Sequence, residues 1–241
     1  PKANAISWLD TRNKAEAKIL EEQFSQELRY SITGQSYLAA TFPITKMLWL
    51  KSHAPKLTGK NTRYLMIKDY IAYRLSGTAV GEYSIYNFTH YLDINKKGYW
   101  EEILDFSGVT PSNLPELVEP CTDLGTIRED IAKDINISCD SIVNCGTLDH
   151  FAGMIGTGNL AQGKVSESTG TVLTIAAIAD SFSANKEKIP CHYGPFPNSF
   201  VYLPVCESGG ISLEWFRNNF AKEMSFQQLD EFAAQRQIDE N

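Results

Sequence analysis

The stretch VSESTGTVLTI at residues 165–175 constrains the fold of this chain more than any other. Its two halves, rich in β-branched residues, read as hairpin arms over 164–168 and 172–178, joined by the turn Thr169-Gly170-Thr171. Further strands follow it, whereas before residue 157 short apolar runs alternate with helical patterns. Alternation of α and β that gives way to consecutive strands predicts an α/β chain of two domains, 1–156 and 157–241.

Within the first part, Ala5-Ile6-Ser7-Trp8-Leu9 reads as a strand and residues 12–30 as one long charged helix. Pro43 starts another helix, with Ile44, Met47, Leu48 and Trp49 along one apolar face. Residues 64–67 read as a short strand running into a helix that stops at Ser76-Gly77. GVTPSNLPELVEP reads as loop, TIREDIAKDI as a short helix and residues 141–145 as a buried strand. HFAGMIGTG is helical, residues 200–205 read as a strand, and Gly209-Gly210 opens the amphipathic helix ISLEWFRNNF. The opening PKANAISWLD has no methionine and the closing AAQRQIDEN stops in a charged, helix-like stretch, so the chain reads as a piece of a longer protein.

At 241 residues and 43% apolar content, the chain can bury a core without disulfide or metal staples. A net charge of −7 argues against nucleic acid or an anionic membrane as partner. No apolar run has the length of a membrane span. The five cysteines are widely spaced without a Cys-x-x-Cys, which reads as reduced, mostly buried thiols in a cytoplasmic protein. The four histidines show no ligand spacing, so no metal held by protein groups alone is expected. Gly59-Lys60 lacks the glycine and the hydroxyl residue of a nucleotide P-loop.

Three features can carry chemistry. Asp149 follows a strand and starts a helix, where it reads as an N-cap or as a general base at the end of a strand, two roles that do not exclude each other. The turn at Thr169, Gly170 and Thr171 is either a turn only or a phosphate seat, because glycine lets backbone N–H groups approach an anion and hydroxyls add donors. Gly210, at a helix start, offers a second anion site of the same kind. Trp8 is a core residue on base rates, or a flat apolar face for a sugar ring.

Taken in order, these segments resemble the FGGY family of carbohydrate kinases along essentially the whole chain. WLDTR is similar to that family's Trp-x-Asp-x-Arg segment, and FPITKMLWLKSH to its first pattern, with Pro43, Lys46, Met47, Trp49, Leu50 and His53 matching and Thr41 and Ser52 departing. IKDYIAYRLSG is similar to the helix after that pattern, CGTLDHFAGMIGTG to the Gly-x-x-Asp segment, STGT to the phosphate hairpin, and ESGGISLEWFRN to the turn and helix that follow.

The resemblance implies a ribonuclease H-like fold of the actin and sugar-kinase kind, with a later part of the sugar-binding domain and the start of the nucleotide-binding domain. It implies transfer of the γ-phosphoryl group of ATP, carried with Mg²⁺, to a hydroxyl of a ketose such as xylulose or of a sugar acid such as gluconate. Asp149 then falls on the catalytic base, and Trp8, Asp10, Thr41 and His150 on the sugar side. Thr169, Gly170, Thr171, Gly210 and Glu214 fall on the nucleotide side. Thr41 stands where polyol-specific members carry an aromatic, which turns the expectation away from glycerol. Family members are often homodimers. A non-catalytic sugar- or nucleotide-binding regulatory protein on the same fold, or an inactive piece of a kinase, are the rival readings.

Overall fold

A computed structural model describes residues 4–206 and 208–235. Glu207, which opens the ESGG segment, and residues 236–241 of the closing stretch lie outside the described residues.

The first half is organised by helix start and stop signals. Helices α1 (Lys14–Gln23) and α2 (Gln26–Thr33) divide the expected single helix over 12–30. The break falls where the Ser25 hydroxyl accepts the Leu28 amide as an N-cap. There Phe24 turns inward, edge-on to Trp100 and Phe106 at 5.1 and 5.6 Å. Pro43 opens α3 (Pro43–His53) as expected, and α4 (Ile67–Ser76) ends at Gly77, whose φ of 85° only glycine adopts freely.

Two expected strands do not form. Residues 4–7 belong to no regular element and 8–9 form a turn, and the Tyr64 amide donates to the Asn113 carbonyl instead of to a ladder. A strand needs a ladder of backbone bonds, and among the described residues neither segment has more than that single Tyr64 bond to a neighbouring segment.

The chain continues through β1 (Val80–Glu82), α5 (Tyr83–Asn87), β2 (Leu92–Asp93), β3 (Gly98–Tyr99) and α6 (Glu101–Ser107) to β4 (Glu116–Val118). β4 lies within the expected loop GVTPSNLPELVEP and pairs in parallel with β1. Three residues beside Pro115 are too few to show a strand period. β5 (Asp123–Thr126), α7 (Glu129–Asp134) and β6 (Ile142–Asn144) follow, β6 antiparallel to β5. β6 is not the buried strand expected: Val143 packs with Ile127 and Ala132 while Ile142 is exposed.

After α8 (Asp149–Gly156) come β7 (Val165–Thr169), β8 (Leu173–Ala179), β9 (Cys191–Tyr193), β10 (Phe200–Tyr202), β11 (Val205–Cys206), α9 (Gly210–Phe220) and α10 (Phe226–Ala234). The five strands form one antiparallel sheet in which β8 pairs with β7 on one edge and with β10 and β11 on the other. The expected strand over 200–205 is therefore two, divided at Pro204, which has no N–H for the ladder.

The main core lies in the first half, around Leu20, Ile44, Tyr86, Ile103 and Leu104. A second core joins α8 to the sheet: Leu148, Phe151 and Met154 pack on Ala176, Ile178, Val201 and Leu203. β9 docks the sheet on the first half, with the Cys191 amide donating to the Gly34 carbonyl at 2.9 Å and the Tyr193 amide to Asn87 Oδ1 at 2.7 Å. All five cysteines are free, and contrary to expectation only Cys145 and Cys191 are buried.

Candidate active site

Helix α8 and the β7–β8 hairpin face one another across a cavity of about 330 Å³. The spacing of α8 explains its side of the wall. Asp149, Gly153 and Thr157 recur every four residues, with His150 and Met154 one position on. At Gly153 an added Cβ would meet nothing within 4 Å, so the glycine contributes open space. The hairpin supplies the other wall through the period of two: Ser166 and Ser168 share a face with their cross-strand partners Ala176 and Thr174. Leu203 and Glu167 complete it.

Asp149 is the first residue of α8, not its cap, which is Leu148. Its side chain is 89% exposed, and Oδ1 accepts from the His150 amide at 2.8 Å and lies 3.1 Å from His150 Nδ1. The carboxylate is thus held on Oδ1 by its neighbour, and Oδ2 has no bond among the described residues.

β7 runs through Thr169, which pairs with Leu173, so the turn proper is residues 170–172 and not the expected Thr169-Gly170-Thr171. The Gly170 amide donates to the Val172 carbonyl at 2.8 Å, while the Thr171 and Val172 amides have no partner among the described residues. The start of α9 packs directly on this turn. The Gly209 and Gly210 amides donate to the Thr171 and Gly170 carbonyls at 2.9 and 2.7 Å. A Cβ on Gly210 would stand 2.7 Å from the Gly170 oxygen. The two glycine features expected as separate anion sites are therefore one structure, in which Gly209 and Gly210 hold the turn and do not offer their amides to a ligand. Glu214 lies exposed one turn further along α9.

Trp8, Asp10 and Thr41 form a separate group that lines neither this cavity nor the larger one beside Gln35 and Phe42. Lys46 ties the backbone at Asp10 to that beside Thr41: its Nζ donates to the Asp10 carbonyl at 2.6 Å and to the Ala40 carbonyl at 2.9 Å. Asn13 adds a bond to Ala40 at 2.8 Å. Burial pushes the Lys46 ammonium below its ordinary value, with the Asp10 charge acting against it. The Asp10 carboxyl is held below its ordinary range chiefly by hydrogen bonds from Arg12, whose guanidinium also lies 5.2 Å from the Trp49 ring. Trp8 is 68% exposed, so the core reading fails: its face is presented to solvent.

Among the described residues no three His, Cys, Asp or Glu side chains gather as cation ligands. The sequence reading missed Ser166 and Glu167, although the alternation of VSEST puts its serines on one face. It also missed Ser84 and Thr147, 63 residues apart in the chain and 2.9 Å apart between hydroxyls, for which no local signal exists.

The fold as a whole is similar to that of solved sugar kinases. The ligand-bound xylulose kinase of Lactobacillus acidophilus matches 98% of this chain and 48% of its own with a TM-score of 0.85 at 22% identity. The xylulose kinase of Rhodospirillum rubrum matches 95% and 47% with a TM-score of 0.86 at 20% identity. The fold is accordingly the ribonuclease H-like α/β fold of the actin and sugar-kinase class. Residues 1–156 match the N-terminal domain model of the FGGY family of carbohydrate kinases, and the chain belongs to that family. The xylulose kinase of Bacillus subtilis (strain 168) is 33% identical over 227 residues, which is 94% of this chain and 45% of that protein. The gluconokinase of Bacillus licheniformis is 26% identical over 222 residues, 92% and 43% respectively. The chain thus spans about half the length of the curated relatives it matches.

Proposed function

We propose that the protein to which these residues belong transfers the γ-phosphoryl group of ATP to a hydroxyl of a ketose such as xylulose or of a sugar acid such as gluconate, with Asp149 as general base. The observation that carries this reading is the exposed Asp149 carboxylate opposite the β7–β8 hairpin across one cavity. In the reaction the sugar oxygen forms a bond to the γ-phosphorus and the bond from that phosphorus to the β–γ bridging oxygen breaks. ADP leaves, and the hydroxyl proton passes to Asp149.

Such a transfer needs alignment and charge stabilisation more than covalent chemistry. The Thr171 and Val172 amides, which have no partner among the described residues, and the Thr171 hydroxyl fit the phosphate side. Trp8, Asp10, Thr41 and His150 are assigned to the sugar side, and Gly210 with Glu214 to the nucleotide side. Domain bounds of 1–156 and 157–241 go with this assignment, as does a cytoplasmic setting. Asp149 and Glu167 are the carboxylates that line the cavity, hard oxygen donors of the kind Mg²⁺ takes but too few for a protein cage. They fit an ion that arrives with ATP and keeps phosphate and water ligands, and that ion supplies charge neutralisation on the phosphates.

ADP release by the full-length protein over xylulose, gluconate and glycerol tests the reading. We expect turnover with a ketose or sugar acid, and a kcat lower by roughly 10²–10⁴ in Asp149→Asn, the range for loss of a general base. Unaltered turnover in that variant sinks the assignment. Binding of sugar and ATP without turnover would support the regulatory reading instead.

A further inference from the structure

Glu82 and Ser84 are fully buried, and their hydrogen bonds end on the connector that delivers Asp149. Glu82 Oε2 accepts from the Ser84 amide and from Ser84 Oγ, each at 2.7 Å, and Oε1 accepts from the Ile85 amide at 3.1 Å. Ser84 Oγ accepts in turn from the Leu148 amide at 3.0 Å and lies 2.9 Å from Thr147 Oγ1. A carboxylate only accepts, and a serine hydroxyl has one proton. Ser84 therefore gives its proton to Glu82, and Thr147 donates to Ser84.

Lys68 reaches the other end of the connector. Its Nζ donates to the Cys145 carbonyl at 2.7 Å and to Asp69 Oδ1 at 2.7 Å, with Glu82 Oε1 at 3.6 Å. Residues 145–148 are thus gripped at both ends from one buried network, and the next residue is Asp149. Buried charge of this kind is weak evidence for stability, since well-packed apolar residues serve as well. What a satisfied buried network does supply is a fixed direction.

We propose that Glu82, acting through Ser84, is a positioning residue that sets the direction of the Asp149 carboxylate in the cleft. The inference rests on Asp149 being the base, and the test separates the two. In the full-length protein, Ser84→Ala lowers kcat by roughly 10- to 100-fold, the scale of a displacement of up to about 1 Å at a reacting group. KM for sugar and for ATP stays within about twofold, because only the transition state feels the change. Ser84→Thr, which keeps the hydroxyl, restores kcat. In the Asp149→Asn background Ser84→Ala adds no further loss, since both changes act on one group.

A wild-type kcat in Ser84→Ala, or a loss that repeats in full in the Asp149→Asn background, overturns the positioning role and leaves the base assignment standing. Wild-type turnover in Asp149→Asn alone overturns the base assignment. A readout free of substrate is amide hydrogen exchange over residues 145–151 of the 241-residue chain. Ser84→Ala speeds exchange there and leaves the β7–β8 hairpin unchanged, and unchanged exchange at the connector overturns the proposal. Should Ser84→Ala fail to fold, Thr147→Val removes one donor to Ser84 and leaves the Glu82 contact, with the same direction of effect on both readouts.

Discussion

His192 shows how one buried side chain ties the pH response of this fold to the contact between β9 and the first half. It is 1% exposed, its ring stacks on Phe88 at 4.1 Å, and its Nδ1 lies 3.2 Å from Gln35 Nε2. An amide nitrogen donates, so Nδ1 accepts and the neutral ring carries its proton on Nε2. Burial, and after it the charge of His150, pushes the ring from 6.5 down to about 3. Between those values the unfolded chain binds a proton that the folded chain excludes. This contribution to stability is therefore whole above 6.5 and is lost as pH falls toward 3. Burial of Asp69 and Glu82 raises their carboxyls, which acts in the opposite sense, because the folded chain then holds the extra proton. The test is a difference: His192→Phe keeps a ring on Phe88 and removes the titration. Urea unfolding between pH 7 and 5 should fall less steeply in that variant than in the parent, by about 1.4 kcal/mol per pH unit at full linkage. Equal slopes would show that His192 is not excluded from protonation.

At the scale of elements, two glycines that end helices separate backbone strain from packing. Gly77 closes α4 at φ 85° with its nearest neighbour 3.9 Å from an added Cβ, a flexible arginine methylene. Gly34 closes α2 at φ 72°, and an added Cβ would stand 2.4 Å from the Cys191 carbonyl oxygen. Gly77→Ala should cost about 1–2 kcal/mol, the penalty of a left-handed residue. Gly34→Ala should cost clearly more, because β9 must also move away from the first half. Thermal melts of the two variants check the order, and equal costs would mean that β9 yields freely. The same contrast explains what the sequence showed. The stop of α4, the proline start of α3, the hairpin and the glycine start of α9 were written in local signals. Residues 5–9 and 64–67 read as strands because pattern reports the residue and not its neighbour, and among the described residues no strand pairs with either. β4 and the Glu82–Ser84–Thr147 network depend on contacts between distant segments, which no local period records.

For the molecule as a whole, the question is what covers its second part. No residue of α9 or α10 is buried, and Trp215, Phe216, Phe220, Phe226 and Phe232 are all exposed, with Trp215 edge-on to Phe220 at 5.4 Å. Val205 at the sheet margin and Ile211 and Leu213 on α9 are exposed as well. In the first half Tyr86, Tyr91 and Trp100 are buried while Trp8, Tyr37 and Tyr73 are exposed, whereas every aromatic of α9 and α10 is exposed. Exposed apolar side chains in this number, with Phe220 within 5.7 Å of both Trp215 and Phe216, drive association when nothing covers them. The charge of −7 opposes association only weakly at physiological salt, where charges more than about 8 Å apart are screened. The 241-residue chain alone should therefore self-associate at roughly 10–100 µM and bind a hydrophobic dye. Trp215→Glu combined with Phe220→Glu should lower both, without changing the melting of the first-half core, because neither side chain reaches it. Sedimentation velocity with and without that double substitution decides the matter. A parent chain that stays monomeric and dye-free would mean that α9 and α10 fold onto a surface of their own in solution.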